Sequence, residues 1–150
     1  MPAWVDAGYE DFARRMPREA RITLQEIKPE PRGEASQDAP RNVERLTEAE
    51  GKRIVAALPR GALKVVLDER GRLCTTRELA ERFAGWQMDG RNVAFVIGGP
   101  DGLSAAIKRD ADFVWSLTPL TLPHALVRVM LAEQLYRAHT ILKNHPYHRD

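Results

Sequence analysis

The run Val93-Ala94-Phe95-Val96-Ile97 empties directly into Gly98-Gly99-Pro100-Asp101-Gly102. An apolar, largely β-branched stretch followed by residues that break regular structure is the layout of a buried strand feeding a loop. Working outward, Leu63 to Leu67 is a second short apolar run, and Asp68-Glu69-Arg70-Gly71 behind it reads as a turn. Phe113 to Leu117 reads as a third strand.

Helical patterns fill the intervals. Thr75 with Glu78 three residues on fits a capping box, and Leu79, Phe83 and Trp86 give the following helix a buried stripe. Ser104 can cap a short helix carrying Ala105, Ala106 and Ile107, and a long helical pattern runs from about Leu126 to Leu142. Upstream, Val5, Tyr9, Phe12, Ala13 and Met16 predict an amphipathic helix ended by Pro17, and Ile22, Leu24 and Ile27 a short strand. Lys28 to Arg41 reads as a mobile surface loop; Val43, Leu46, Ile54 and Ala57 then suggest a helix stopped by Pro59 and Gly61.

Strands alternating with helices predict an α/β domain with a mainly parallel sheet, because parallel neighbours need crossover connections. Ligands bind such sheets at the carboxyl ends of the strands. Those ends are Leu67-Asp68, Ile97-Gly98-Gly99 and Leu117-Thr118. A chain of 150 residues fits one domain with a real core, and no repeat or second domain is visible.

Composition narrows the setting. The net charge of +2 steers only weakly toward nucleic acid, so RNA binding needs basic residues gathered on one face or summed over two subunits. Arg14, Arg15, Arg18 and Arg21 form either such a patch or a solvated helix end. The single cysteine, Cys74, rules out an internal disulfide and supplies no zinc pattern, which suits a reducing cytosol. No stretch approaches the roughly 20 apolar residues of a membrane span, and no signal-peptide layout opens the chain, so a soluble cytoplasmic protein is expected.

Chemistry-bearing residues concentrate in two places. The Gly98-Gly99 pair lets a ligand approach the backbone, yet it lacks the spacing of a dinucleotide fingerprint or a phosphate-binding loop, and a plain tight turn explains it equally. Thr118-Pro119-Leu120-Thr121-Leu122-Pro123 offers apolar surface and hydroxyls on a backbone stiffened by two prolines, a mix suited to a flat aromatic ligand such as adenine. The four histidines all lie late, at His124, His139, His145 and His148, and His145-Pro146-Tyr147-His148 reads as a metal site, a general base or a polar terminus.

Several stretches together resemble the RlmH family, SPOUT-class methyltransferases of pseudouridine 1915 in 23S rRNA. They are Met1-Pro2-Ala3-Trp4-Val5, Asp89-Gly90-Arg91, Ile97-Gly98-Gly99-Pro100-Asp101-Gly102-Leu103-Ser104, Trp115-Ser116-Leu117 and Leu120-Thr121-Leu122-Pro123-His124, followed by Leu126-Val127-Arg128-Val129, Glu133-Gln134-Leu135-Tyr136-Arg137-Ala138 and Asn144-His145-Pro146-Tyr147-His148-Arg149. The resemblance implies a C-terminal trefoil knot, which periodicity would never propose. It implies S-adenosylmethionine as cofactor, held by Leu67, Gly99, Thr118, Pro119, Leu120, Thr121, Leu122 and Pro123, and no metal.

It further implies a homodimer acting on 23S rRNA within the assembled ribosome, methylating N3 of the pseudouridine. Of the tail residues, His148 or His145 is expected to take the N3 proton, Arg149 or Arg137 to stabilise the anion or a phosphate, and Tyr147 to orient the base. Family members carry an apolar strand before the Met-Pro-x-Trp-Val segment, and this chain starts at that methionine. A single domain lacking the first strand is therefore expected, and a catalytically impaired, RNA-binding knotted dimer is the alternative to an active enzyme.

Overall fold

The computed structural model describes residues 1–28, 39–99 and 101–148. Helix α1 (Ala3–Ala13) and a 3₁₀ turn (Arg18–Ala20) precede α2 (Ala39–Ala57), β1 (Leu63–Leu73), α3 (Thr76–Asp89), β2 (Val93–Ile97), α4 (Ala105–Arg109), β3 (Phe113–Ser116) and α5 (His124–Leu142). Among the described residues the sheet has three strands in the order β2-β1-β3, both pairings parallel. The α/β class read from the sequence is the class observed.

Alternation along β1 sends successive side chains to opposite faces and so builds two cores. Val65 and Leu67 face α3 and α5 with Trp115, Leu79, Phe83, Leu131 and Leu135, and Met16 after α1 joins them. Val66 faces the other way, with Val96 and Ile107, against Ile54 and Leu58 of α2 and Leu103 before α4. Leu79 is 1% exposed, so truncating it to alanine would cost about 2–5 kcal/mol.

Local signals act as read. Thr75 Oγ1 accepts from the Glu78 N–H at 3.1 Å and caps α3; Ser104 Oγ accepts from the Ile107 N–H at 3.4 Å and caps α4. α5 begins at His124 rather than near Leu126, because Pro123 in extended conformation serves as its N-cap.

Three expectations need correction. Ile22, Leu24 and Ile27 belong to no strand: residues 21–28 carry no ladder, and Leu24 is 40% exposed. An extended segment is a strand only when a neighbour takes its backbone groups, and no strand lies beside it among the described residues. The turn at Asp68 to Gly71 sits instead inside a continuous β1. Leu67 and Arg72 both lie opposite Trp115, so residues 68–71 form a bulge, closed locally by the Arg70 N–H donating to Asp68 Oδ1 at 2.9 Å. Of the expected loop from Lys28 to Arg41, residues 29–38 lie outside the described residues, and from Ala39 the chain is already helix α2.

Candidate active site

Parallel pairing of adjacent strands puts their carboxyl ends side by side: Leu67 is in register with Ile97 on one side and Trp115 on the other. The three ends singled out in the sequence therefore meet at one edge of the sheet. Leu67 is buried there.

Beyond β2, Gly99 and Gly102 form a bridge, and the Gly102 N–H donates to the Gly99 carbonyl at 3.0 Å with Gly102 at φ +78°. The two adjacent glycines have different jobs. A Cβ on Gly98 would stand 3.0 Å from the Gly102 carbonyl carbon and from Leu103 Cγ, so Gly98 is needed to close the loop. A Cβ on Gly99 would meet only Glu50 Oε2, at 3.9 Å. Gly99 thus turns an open backbone face outward, the property a ligand loop requires. Pro100 lies outside the described residues.

After β3, Ser116 Oγ donates to the Thr118 carbonyl at 2.8 Å and the Leu120 N–H donates to Thr118 Oγ1 at 3.2 Å, which shapes the first half of the Thr118–Pro123 loop. Thr121 Oγ1 donates to Glu69 Oε2 at 2.6 Å, tying this loop to the β1 bulge. Lys108 pairs with Asp68 at 2.8 Å and ties α4 to the same bulge. Burial pushes the Asp68 carboxyl up, but the Lys108 and Arg70 hydrogen bonds outweigh it and leave the group below the usual carboxylate range. Leu120 is 68% exposed, an apolar side chain offered to solvent beside Pro119. Leu122 is half-buried; Thr121 and Pro123 are exposed.

The tail folds back onto α5. Asn144 adopts φ +53°, the His145 N–H donates to the Thr140 carbonyl at 2.9 Å and the Asn144 N–H to that of Ile141 at 3.4 Å. This is a Schellman cap with asparagine in the left-handed position, and it reverses the chain. The Tyr147 ring then rests 4.7 Å from that of Tyr136, with the Arg137 guanidinium 4.9 Å over its face.

Glu133, which sequence reasoning passed over, is the hub of this arrangement. Its Oε1 accepts from Arg137 Nε at 2.8 Å and from the Tyr147 hydroxyl at 3.1 Å, while its Oε2 accepts from Gln134 Nε2 at 2.8 Å. Gln134 Oε1 in turn accepts from Thr76 Oγ1 at 2.9 Å, anchoring the network to α3. The i,i+4 spacing of Glu133 and Arg137 was the available signal. Burial, then the Glu133 charge, pushes the Tyr147 phenol up, so it stays protonated and acts as a donor.

The two imidazoles differ. His145 Nδ1 accepts from the Tyr147 N–H at 3.2 Å, whereas His148 Nδ1 is buried with no hydrogen-bond partner among the described residues. The His148 carbonyl accepts from Arg137 Nη1 at 3.5 Å. Arg149 lies outside the described residues. His124 opens α5, half-buried. No group of three metal-type ligands occurs among the described residues, and no described helix is long and apolar enough to cross a membrane.

Among the described residues, the structure therefore assembles the loop residues at one place and the tail residues at another. The Tyr147 hydroxyl reaches Glu133, nine positions along α5 from His124, about 14 Å at 1.5 Å per residue.

Residues 1–148 match a family described as "Predicted SPOUT methyltransferase". Relatives named ribosomal RNA large subunit methyltransferase H from Burkholderia multivorans, Burkholderia vietnamiensis and Burkholderia cenocepacia are each 54% identical over 149 residues, covering 99% of this chain and 92% of the relative.

Proposed function

The chain belongs to the SPOUT methyltransferase family, and from that premise we propose that it transfers a methyl group from S-adenosylmethionine to N3 of pseudouridine 1915 in 23S rRNA of the bacterial ribosome, in the cytoplasm. The observation that carries this reading is the meeting of Leu67, Gly99 and the Thr118–Pro123 loop at one edge of the sheet. The fit to the cofactor is chemical: a buried leucine floor, an open glycine backbone, and a proline-stiffened loop presenting Leu120 and backbone groups to an adenine. When bound, the cofactor supplies an electrophilic methyl on a sulfonium.

The chain's own part is to hold the base in line and manage one proton. N3 must lose its proton as it is alkylated, so the site needs a base and a partner for the developing anion. His148 suits the first role better than His145, since the Nδ1 of His145 already accepts a backbone hydrogen bond while that of His148 is uncommitted among the described residues. Arg137, aligned by Glu133, is positioned to meet negative charge, with Arg149 following in the tail. Tyr147, a protonated donor, orients the base.

Because the tail reaches back only to Glu133, nine residues and about 14 Å along α5 from His124, a complete site requires the tail of a second copy. Helix α5 supplies the means: Val129 packs on Gly8 of α1, but Leu126, Val127 and Met130 also remain half-exposed, so the helix is apolar beyond that face. The working unit is accordingly a homodimer.

The experiment is calorimetric titration of S-adenosylmethionine, followed by transfer of labelled methyl to ribosomes lacking the modification. Saturable binding and labelling of the single nucleotide support the reading; a folded protein that binds no cofactor sinks it.

A further inference from the structure

We infer that the cleft at the C-terminal end of α1 holds backbone phosphates of the RNA substrate, an inference that rests on the RNA methylation proposed above. The cleft has a volume of about 360 Å³ and is walled by Arg14, Arg18 and Arg21, with Glu10 the carboxylate in its lining. Helix α1 ends at Ala13, short of the Pro17 expected to stop it, and the 3₁₀ turn Arg18–Ala20 capped by Pro17 bends the chain, which brings three guanidinium groups spread over eight residues to one hollow. Neither Arg18 nor Arg21 has a side-chain ion pair or hydrogen bond among the described residues, and Arg21 is exposed.

Nearby acids leave the hollow positive. Arg14 and Arg15 share one carboxylate, Asp11, each at 3.0 Å, and such exposed pairs hold their charges weakly. Glu19 lies outside the lining and acts electrostatically on His139 of α5.

Arg15, next to Arg14 of the lining but not itself part of it, points toward the tail. The Arg15 guanidinium stands 5.5 Å from the Phe12 ring centroid and 5.7 Å from that of Tyr136, and Tyr136 is the ring against which Tyr147 packs. A nucleotide presented to the tail would therefore carry its flanking backbone across the end of α1. Phosphate contacts of this kind fix register rather than read bases, and guanidinium forks suit them.

The test is binding of large ribosomal subunits lacking the modification, measured across a range of salt for wild type, an Arg18→Gln/Arg21→Gln variant, and a Lys52→Gln/Arg60→Gln control that removes equal charge from α2 and the segment after it. Each phosphate that the protein no longer neutralises makes the slope of log affinity against log salt shallower by about one. The expected result is a slope shallower by about one to two and affinity down at least about tenfold at 0.1 M salt, with cofactor titration unchanged and the control pair retaining the wild-type slope. Arg18→Lys/Arg21→Lys, which keeps the charge, should recover most of the slope. An unchanged slope in the glutamine variant, or an equal loss in the control, overturns the inference while leaving methyl transfer intact. Wild-type protein that binds cofactor but no subunit at any salt overturns the RNA reading itself, and this inference with it.

Discussion

The Tyr147 hydroxyl donates to Oε1 of Glu133 across 3.1 Å, closing a fourteen-residue loop of chain that contains the end of α5 and its reversal. The same oxygen holds Arg137 Nε at 2.8 Å. One carboxylate on a packed helix thus fixes the two side chains proposed for the base-binding end of the site. Their orientation depends on a helix rather than on a free terminus.

Glu133→Gln should leave the fold intact and reduce kcat/KM at least about tenfold, roughly 1.4 kcal/mol, by loosening Tyr147 and Arg137 together. It should also lower the phenol ionisation of Tyr147 toward the ordinary value of about 10, since burial and then the Glu133 charge hold it up. A tyrosine NMR titration assigned through Tyr147→Phe reads this directly. An unmoved phenol would mean that the hydrogen bond contributes nothing in solution.

Gly98 and Gly99 should separate structure from ligand. Gly98→Ala drives a Cβ to 3.0 Å from the Gly102 backbone and should destabilise the protein by about 1–3 kcal/mol. Gly99→Ala meets open space apart from Glu50 Oε2 at 3.9 Å, so its melting temperature should hold while cofactor affinity falls about tenfold or more. Equal effects of the two substitutions on stability would contradict the division of labour.

What the sequence made legible follows the range of the forces involved. The caps at Thr75 and Ser104 are settled within three residues, and the strands at Val93–Ile97 and Phe113–Ser116 by their own apolar runs. The segment containing Ile22, Leu24 and Ile27 has the composition of a strand, but pairing belongs to two segments and one of them cannot announce it. The β1 bulge escaped because it depends on Gly71 approaching β3. The loop residues were pointed to twice, from strand ends and from motif resemblance, and the structure sets the strand ends side by side; Glu133 was missed because its contacts exist only once Asn144 has turned the chain back upon it.

Gly71 gives a further test of that bulge. A Cβ there would lie 2.8 Å from the Val114 carbonyl carbon and oxygen and 2.9 Å from the Trp115 carbonyl carbon, all backbone atoms that cannot swing aside. Gly71→Ala should cost about 1–3 kcal/mol in urea denaturation by prising β1 from β3. Because Glu69 in the bulge holds Thr121, cofactor affinity should fall as well. Retained stability would mean that the bulge relaxes freely.

His139 makes stability depend on acid. Burial holds its imidazole below the ordinary value, Lys143 and His145 add to that, and Glu19 opposes. With the folded pKa depressed, the unfolded chain takes up the proton first, so the contribution is full above about 6.5 and is lost as pH falls through the folded value. Urea midpoints should drop between about pH 7 and 5 in wild type and drop less in His139→Gln. Parallel declines in the two proteins would assign the acid sensitivity elsewhere.

The separation of tail and loop along α5 predicts complementation between two inactive proteins. Suppose one variant carries His148→Ala in the tail and the other carries Gly99→Leu in the loop, each inactive as a homodimer. If a site draws its loop from one copy and its tail from the other, a reassorted heterodimer has one site with both defects and one with neither. Random pairing of equal amounts makes half the dimers mixed, so total activity should return to about a quarter of wild type. If each site were built within one chain, every site in the mixture would keep one defect, and activity would stay at the level of the parents. Denaturing and refolding the two variants together, then assaying methyl transfer to ribosomes, distinguishes the arrangements. A return of activity would also locate the base-binding end at the subunit boundary, where the arginine-lined end of α1 already adjoins Tyr136.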